Sequence, residues 1–417
     1  MSSIRSVAFH TLGCKLNYAE TSSLGRMLEK EGFEKKEFDQ DADVYVINTC
    51  SVTDNADKEC RQLVRRIQRR APDSYVVITG CYAQLKPNEI ASIPGVDLVL
   101  GAADKFSLPL HLKNLPQQQG VKICSCDIED VNSFTASWSS QDRTRSFLKV
   151  QDGCDYNCSF CTIPLARGKS RSDSIANVVE NVKELAAAGT IEIVLTGVNL
   201  GDFGQPGENF YQLIQRLDEI EGIERYRISS IEPNLLTKEI IAFVAKSKRF
   251  MPHFHIPLQS GSNRILGLMR RRYKRELYAQ RIQWIKELMP HAAIGADVIV
   301  GFPGETNEDF AETYSFLNEL PITYLHVFTY SERENTHALS LSDVVPVSIR
   351  QQRNKDLRTL SFLKTKQFTA PFYDTTRPVL FEKAENQGMM EGYTDNYIRV
   401  QTPYRAEWVN TIVNWKI

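Results

Sequence analysis

Short apolar runs recur along this chain, and stretches with apolar residues every three or four positions follow them. In the first 130 residues the runs are SVAFHTLGC, VYVINTC and YVVITGC, and the segment YAETSSLGRMLEKEG behind the first has helical character. Such alternation predicts βαβ units and a parallel sheet. A polar stretch at 132–145, NSFTASWSSQDRTR, reads as a linker. Six more strand-like runs follow it: RSFLKVQDG, IEIVLTGVN, RYRISSIEP, HFHIPLQSG, AIGADVIVGFPGE and TYLHVFTYS. With helical segments between them, they predict a partial (β/α)6 barrel, short of the eight-stranded form. After Pro371 the pattern changes to short strands and turns, a small all-β unit. The expected fold is α/β, with a parallel-sheet domain at 1–130, a barrel domain at 140–371 and a β domain at 373–417.

A length of 417 residues agrees with two or three domains. Fifty basic and 51 acidic residues leave a net charge of -1, so any nucleic-acid surface must come from local segregation of charge. The first residues, MSSIRSVAFHTLGCKLN, contain no apolar run of signal-peptide length, and no run is long enough to span a bilayer. A cytoplasmic chain without a membrane partner is expected. In a reducing compartment nine cysteines favour metal or redox chemistry over disulfides.

Three of them, Cys154, Cys158 and Cys161, are spaced C-x3-C-x2-C in LKVQDGCDYNCSFCTIPLARGKSRS, just after the first expected barrel strand. A four-iron cluster is normally held by four thiolates, so three leave one iron open to a substrate. Zinc is the rival, but a structural zinc site wants four ligands and no second pair lies at finger spacing. Cys14, Cys50 and Cys81 end the three N-terminal runs, about one βα repeat apart. At strand ends of an open parallel sheet they would converge in the crevice where ligands bind; as plain core residues they would simply be buried. Cys60, Cys124 and Cys126 match neither set.

The C-x3-C-x2-C motif with Phe160 before its last cysteine resembles the radical S-adenosylmethionine signature. TLGCKLN, NTCSVTDNA and TGCYAQ resemble the N-terminal domain of the methylthiotransferases, and the likeness spans essentially the whole chain, ending in a small TRAM-like all-β barrel. LARGKSRS, ISSIEPNLL and GADVIVGFPGET are most similar to the enzymes acting on threonylcarbamoyladenosine in tRNA. The resemblance implies two [4Fe-4S] clusters. One, on Cys154, Cys158 and Cys161, would bind S-adenosylmethionine and generate a 5′-deoxyadenosyl radical. The other, on Cys14, Cys50 and Cys81, would carry the sulfur to be transferred to carbon 2 of the adenine at position 37. The alternatives are isopentenyladenosine in tRNA or an aspartate of a small-subunit ribosomal protein as target, or a non-enzymatic iron–sulfur RNA-binding module.

Gly197 and Asn199 in LTGVN, Ser229, Ser230 and Glu232 in ISSIEP, and Gln259 and Ser260 in IPLQSG stand at expected strand ends and are candidates to hold S-adenosylmethionine, as is Asp297 inside its strand, where an ionised group needs a partner. No catalytic residue is expected beyond the cluster ligands. GFPGET lacks the lysine of a phosphate loop and reads as a turn, and Arg167 could touch cosubstrate or RNA. For tRNA phosphates the candidates are Arg61, Arg65 and Arg69 of RQLVRRIQRR, and Arg270, Arg271 and Arg272 of LMRRRYKREL. From Tyr373 onward five basic residues face six acidic ones, which weakens the case for RNA binding there. An electron donor such as flavodoxin or ferredoxin and a monomeric state complete the expectations.

Overall fold

The structure, a computed structural model, describes residues 6–50, 54–113, 120–140 and 143–417, with the backbone alone at 54–56 and 384–385. Two compact units divide the chain. The first comprises residues 1–139, 147–156 and 161–171; the second comprises 140–146, 157–160 and 172–417.

In the first unit β1 (Ser6–Thr11), β2 (Glu34–Lys36), β3 (Val44–Thr49), β4 (Tyr75–Gly80), β5 (Leu98–Leu100) and β6 (Lys122–Cys124) form one sheet in the order β2-β1-β3-β4-β5-β6. Every neighbouring pair is parallel, as the alternation of runs predicts. Helices α1 (Lys15–Lys30) and α2 (Asp54–Arg70) cover opposite faces. Alternate residues of β3 explain how: Tyr45 and Ile47 pack with Cys60, Val64 and Ile67 of α2, whereas Val44 and Val46 pack with Leu24 and Leu28 of α1.

The stretch expected to be a linker is anchored instead, apart from 141–142, which lie outside the described residues. Ser137 and Trp138 pair antiparallel with Lys149 and Leu148. Arg26 of α1 lies over the Trp138 ring and donates to its carbonyl at 2.7 Å.

The six expected barrel strands are all present: Arg145–Lys149, Glu192–Thr196, Arg225–Ile228, His253–His255, Ala293–Val300 and Tyr324–Thr329. The boundary between units runs through the first of them. In the second unit Glu192–Thr196 pairs parallel with Arg225–Ile228, and His253–His255, Ala293–Val300 and Tyr324–Thr329 form a parallel set. Backbone bonds from Tyr226 to Arg249 and from Ile231 to His255 join the two groups. The hydrogen bonding closes no barrel among the described residues.

The C-terminal residues form a four-stranded antiparallel sheet from Thr376–Asn386, Met389–Thr394, Arg399–Pro403 and Ile412–Lys416. Its turn at 394–398 is seated at the amino ends of the parallel strands. Arg225 donates to the carbonyls of Tyr393 and Pro378, and Arg227 to those of Thr394 and Asp395. Tyr397, held at φ 69, stacks on His253 with ring centroids 3.8 Å apart. The buried Glu192 carboxylate accepts from Arg227 Nε at 2.8 Å. Burial would raise its pKa, but Arg227 and Arg145 hold it below the ordinary value.

Replacing Arg227 with Met strands Glu192 and two carbonyls in the interior, and should cost about 3–5 kcal/mol. Urea unfolding of the full chain measures this; a loss below about 1 kcal/mol, the value of one ordinary hydrogen bond, would mean that other contacts hold the turn.

Candidate functional site

In the first unit the three N-terminal cysteines follow the carboxyl ends of adjacent strands. Cys14 precedes α1, Cys50 follows β3, and Cys81 opens α3 (Cys81–Leu85) directly after β4. The register Thr11↔Asn48 and Thr49↔Gly80 sets these ends side by side. Two glycines allow the close approach. A Cβ on Gly13, which has φ 98, would lie 2.8 Å from the Cys50 sulfur, and one on Gly80 would lie 2.3 Å from the Thr49 carbonyl oxygen. Asn17 of α1 staples the loops: its Nδ2 donates to the carbonyls of Leu12 and Thr49, both at 2.9 Å, and its own carbonyl accepts from Asn48. Cys14 is exposed, while Cys50 and Cys81 are buried.

One turn beyond Asn17, Glu20 is the centre of a buried charge network. It accepts from Lys149 and Arg167, both at 3.1 Å, and from Lys105. Arg167 also donates to Asp152 at 2.8 Å, and Lys149 and Arg171 reach the same carboxylate. Burial alone would raise the Glu20 carboxyl, but Arg167, Lys105 and Lys149 hold it well below the usual carboxylate range. The Cys81 thiol is pushed up by burial, against the pull of Arg167 and Lys105. Arg167, a candidate from the sequence to touch cosubstrate or RNA, is held instead by Glu20, Asp152 and Asn17. It is an interior cation facing the N-terminal thiols.

Cys154 and Cys161 belong to this unit as well. Tyr156 N–H donates to the Cys154 sulfur and Ile163 N–H to the Cys161 sulfur, each at 3.4 Å. Gly153, at φ 69, passes so close to the Lys169 carbonyl that a Cβ would lie 1.9 Å from its oxygen.

Cys158 is fixed within the second unit. Its neighbour Ser159 donates through backbone and hydroxyl to the carbonyls of Met269 and Leu268, and its carbonyl accepts from Ala338. Phe160 packs edge-on against Phe302. Arg271 donates to the Cys158 sulfur at 3.0 Å and is ion-paired with Glu232. Burial pushes the Cys158 thiol up and Arg271 opposes this. Arg271, expected to face tRNA, is thus an interior residue with a side chain 4% exposed, because a thiol and a carboxylate both need its charge.

The remaining strand-end candidates divide. Asn199 is buried and donates to Asp202 at 2.6 Å; Gly197 is half-buried in the same turn. Ser229 is buried, Ser230 half-buried, and Leu200 N–H reaches the Ser230 carbonyl at 3.4 Å. The Ser260 hydroxyl is committed to Thr313 and to the Ser262 N–H, so it shapes its loop. Gln259 adopts φ 71, with its N–H on the Asp297 carbonyl and its own carbonyl on Ile299. Asp297 finds two partners that the sequence did not reveal: His255 Nε2 at 2.8 Å and His326 Nδ1 at 3.2 Å. Burial would raise its carboxyl, yet the two imidazoles hold it well below the carboxylate range. GFPGET is a turn, closed by Gly301 N–H on the Glu305 carboxylate, which Arg353 binds.

Of the RNA candidates in α2, Arg61 is engaged with Tyr82 and Glu89, both at 2.8 Å, whereas Arg65 and Arg69 are exposed. Arg270 and Arg272 are also exposed, in the connection between the helices Asn263–Leu268 and Arg275–Leu288.

Comparison with known proteins assigns this arrangement. Residues 6–101 match the family described as Uncharacterized protein family UPF0004, and residues 148–317 match the Radical SAM superfamily. The chain is 41% identical to the threonylcarbamoyladenosine tRNA methylthiotransferase MtaB of Bacillus subtilis, over 99% of this chain and 93% of that protein. The chain belongs to the radical S-adenosylmethionine methylthiotransferase family. The corresponding MtaB of Aquifex aeolicus is 42% identical, with 93% and 95% covered. A tRNA-2-methylthio-N(6)-dimethylallyladenosine synthase of Clostridium tetani is 31% identical, with 98% and 92% covered. The solved structure of the radical S-adenosylmethionine methyltransferase TsrM of Kitasatospora setae aligns over 78% of this chain and 73% of its own with a TM-score of 0.58 at 16% identity, a likeness of fold alone. As a radical SAM family member, the chain uses a [4Fe-4S] cluster and S-adenosylmethionine. The donor sets fit such groups: thiols at converging strand ends, with N–H donors on the sulfurs of Cys154, Cys158 and Cys161.

Asn17→Ala removes the staple between the loops of Cys14 and Cys50. It should cost roughly 1–3 kcal/mol, since it leaves buried carbonyls unpaired. Anaerobic reconstitution should then load about half the iron of the parent chain, about four irons in place of about eight. Full loading would show that the loops hold their places without Asn17.

Proposed function

We propose that this chain methylthiolates carbon 2 of N6-threonylcarbamoyladenosine at position 37 of tRNA. The observation that carries the reading is 41–42% identity over nearly the whole chain with proteins named for that reaction, joined to two cysteine triplets. In this reading Cys154, Cys158 and Cys161 hold the cluster that binds S-adenosylmethionine, and Cys14, Cys50 and Cys81 hold a second one. When bound, these groups supply reductive cleavage of the sulfonium and the site from which sulfur is donated. The protein's own part is electrostatic and positional. Arg271 sets a positive charge at Cys158 and pairs with Glu232, whose carboxyl is pushed by burial above its ordinary value against the pull of Arg271; Arg167 sets a positive charge toward Cys81 and Cys14. Gly197, Asn199, Ser229, Ser230 and Gln259 line the loops at the carboxyl side of the strands and offer hydrogen bonds to S-adenosylmethionine. The His255–Asp297–His326 group supplies a fixed charge and two imidazoles on the same strands.

In this reading the exposed Arg65, Arg69, Arg270 and Arg272 meet tRNA phosphates, while Arg61 and Arg271 are held toward their own partners. No helix among the described residues is long and apolar enough to cross a membrane. A cytoplasmic monomer that takes electrons from a flavodoxin or ferredoxin, with domains at 1–130, 140–371 and 373–417, completes the proposal.

Nucleosides from tRNA of cells lacking this protein should lose 2-methylthio-N6-threonylcarbamoyladenosine and accumulate its unmodified parent. Loss of the methylthiolated isopentenyl nucleoside instead would transfer the reading to the dimethylallyl relatives.

Two variants separate the cysteine sets. Alanine at positions 154, 158 and 161 together should abolish 5′-deoxyadenosine formation. Alanine at 14, 50 and 81 should preserve it while methylthiolated product disappears. Product from the second variant would return those three cysteines to the core.

A further inference from the structure

Three residues with metal-binding side chains converge within the second unit, each from a different strand. His255 ends the strand His253–His255, Asp297 lies in Ala293–Val300 and His326 in Tyr324–Thr329. The register pairs His255 with Gly295 and Asp297 with His326, and all three ligand atoms lie within 4.8 Å of one another. Tyr324 holds the first imidazole in place. A Cβ on Gly295 would lie 2.3 Å from its ring, so the glycine lets the ring cross the strand. The Tyr324 hydroxyl then lies 3.5 Å from His255 Nδ1, and His255 Nε2 is directed at Asp297 Oδ1, 2.8 Å away. Such a partner on the far nitrogen is how metal-binding histidines are oriented. The group is open on one side, for the His326 side chain is 55% exposed. Its surroundings are acidic: Glu232 feels the charge of Asp202 as well as that of Asp297, with Arg271 opposing both.

We propose that His255 Nε2, His326 Nδ1 and an Asp297 oxygen hold a zinc ion whose fourth position takes a carboxylate of the substrate. Two imidazoles and one carboxylate form the kind of three-ligand set that leaves a position open. Ligand atoms about 2.1 Å from a tetrahedral zinc stand about 3.4 Å apart. The 2.8 Å and 3.2 Å separations from Asp297 Oδ1 need only small side-chain rotations to reach that. Zinc has no redox chemistry, so it diverts no electron from a radical reaction. The fourth ligand rests on the methylthiotransferase reading: threonylcarbamoyladenosine carries a carboxylate, and the isopentenyl nucleoside carries none. His255, Asp297 and His326 are binding residues in this proposal, and Tyr324 is a positioning residue.

The test is anaerobic equilibrium dialysis of the iron-loaded full chain against radioactive zinc, with iron determined on the same samples. His326→Phe removes a ligand at an exposed position and should raise the half-saturating zinc concentration more than about a hundredfold. Tyr324→Phe removes only the hydroxyl that orients His255 and should raise it about tenfold. His337→Phe, at an exposed histidine outside the group, should leave it unchanged. Unchanged half-saturation in His326→Phe at full iron content would overturn the proposal and leave Asp297 as a hydrogen-bond partner of two imidazoles. An equal loss in His337→Phe would do so too, because zinc would then be adhering to surface imidazoles. With the parent chain, N6-threonylcarbamoyladenosine should lower the half-saturating zinc concentration several-fold and adenosine should not. The same effect from both nucleosides would overturn the assignment of the fourth ligand. Failure of the methylthiotransferase reading shows separately, in the tRNA nucleosides of cells lacking the protein, and leaves the zinc measurement standing.

Discussion

Glu20 is a carboxylate without access to water, shared by cations from three distant parts of the chain. Lys105 follows β5, Lys149 ends the strand before the second cysteine triplet, and Arg167 ends the short helix behind it. None of these cations can be buried there without the carboxylate, nor the carboxylate without them. Such networks add little net stability over apolar packing; what they impose is one pattern of pairing. Five of the six thiols belong to this unit, and the network joins the segments that carry Cys154 and Cys161 to the helix after Cys14.

The second unit uses the two ends of its parallel strands differently. At the amino ends arginines and aromatic rings receive the C-terminal turn, and the fit is tight: backbone carbonyls on guanidinium groups, and an imidazole stacked on a phenol. At the carboxyl ends the loops carry buried and half-buried polar side chains, and Arg271 links Glu232 to Cys158. In barrel enzymes generally it is the carboxyl ends that carry the chemistry.

The sequence revealed the elements more fully than the pairings. Strand positions follow from apolar runs whose period is set by the backbone, and the thiol spacing carries its own chemistry. Buried charge has no such local signature. Asn17, Glu20 and Thr21 interrupt the apolar face of α1 at helical spacing, which is the one sign of an interior polar network, but their partners lie up to 150 residues away. For the same reason an arginine run such as 270–272 reads as uniform until tertiary structure takes its middle member inside. Asp297 showed that it needed a partner; that the partners are His255 and His326 depends on strand register.

The seat of the C-terminal turn also bears on how the chain is made. Arg225 reaches an acceptor 168 residues further on, so while that length of chain is made the amino ends of the strands present guanidinium groups without these carbonyl acceptors and an uncovered imidazole. A nascent chain in this condition exposes polar and aromatic surface that its own last stretch alone can cover. The parallel strands can assemble early, but their floor is laid last.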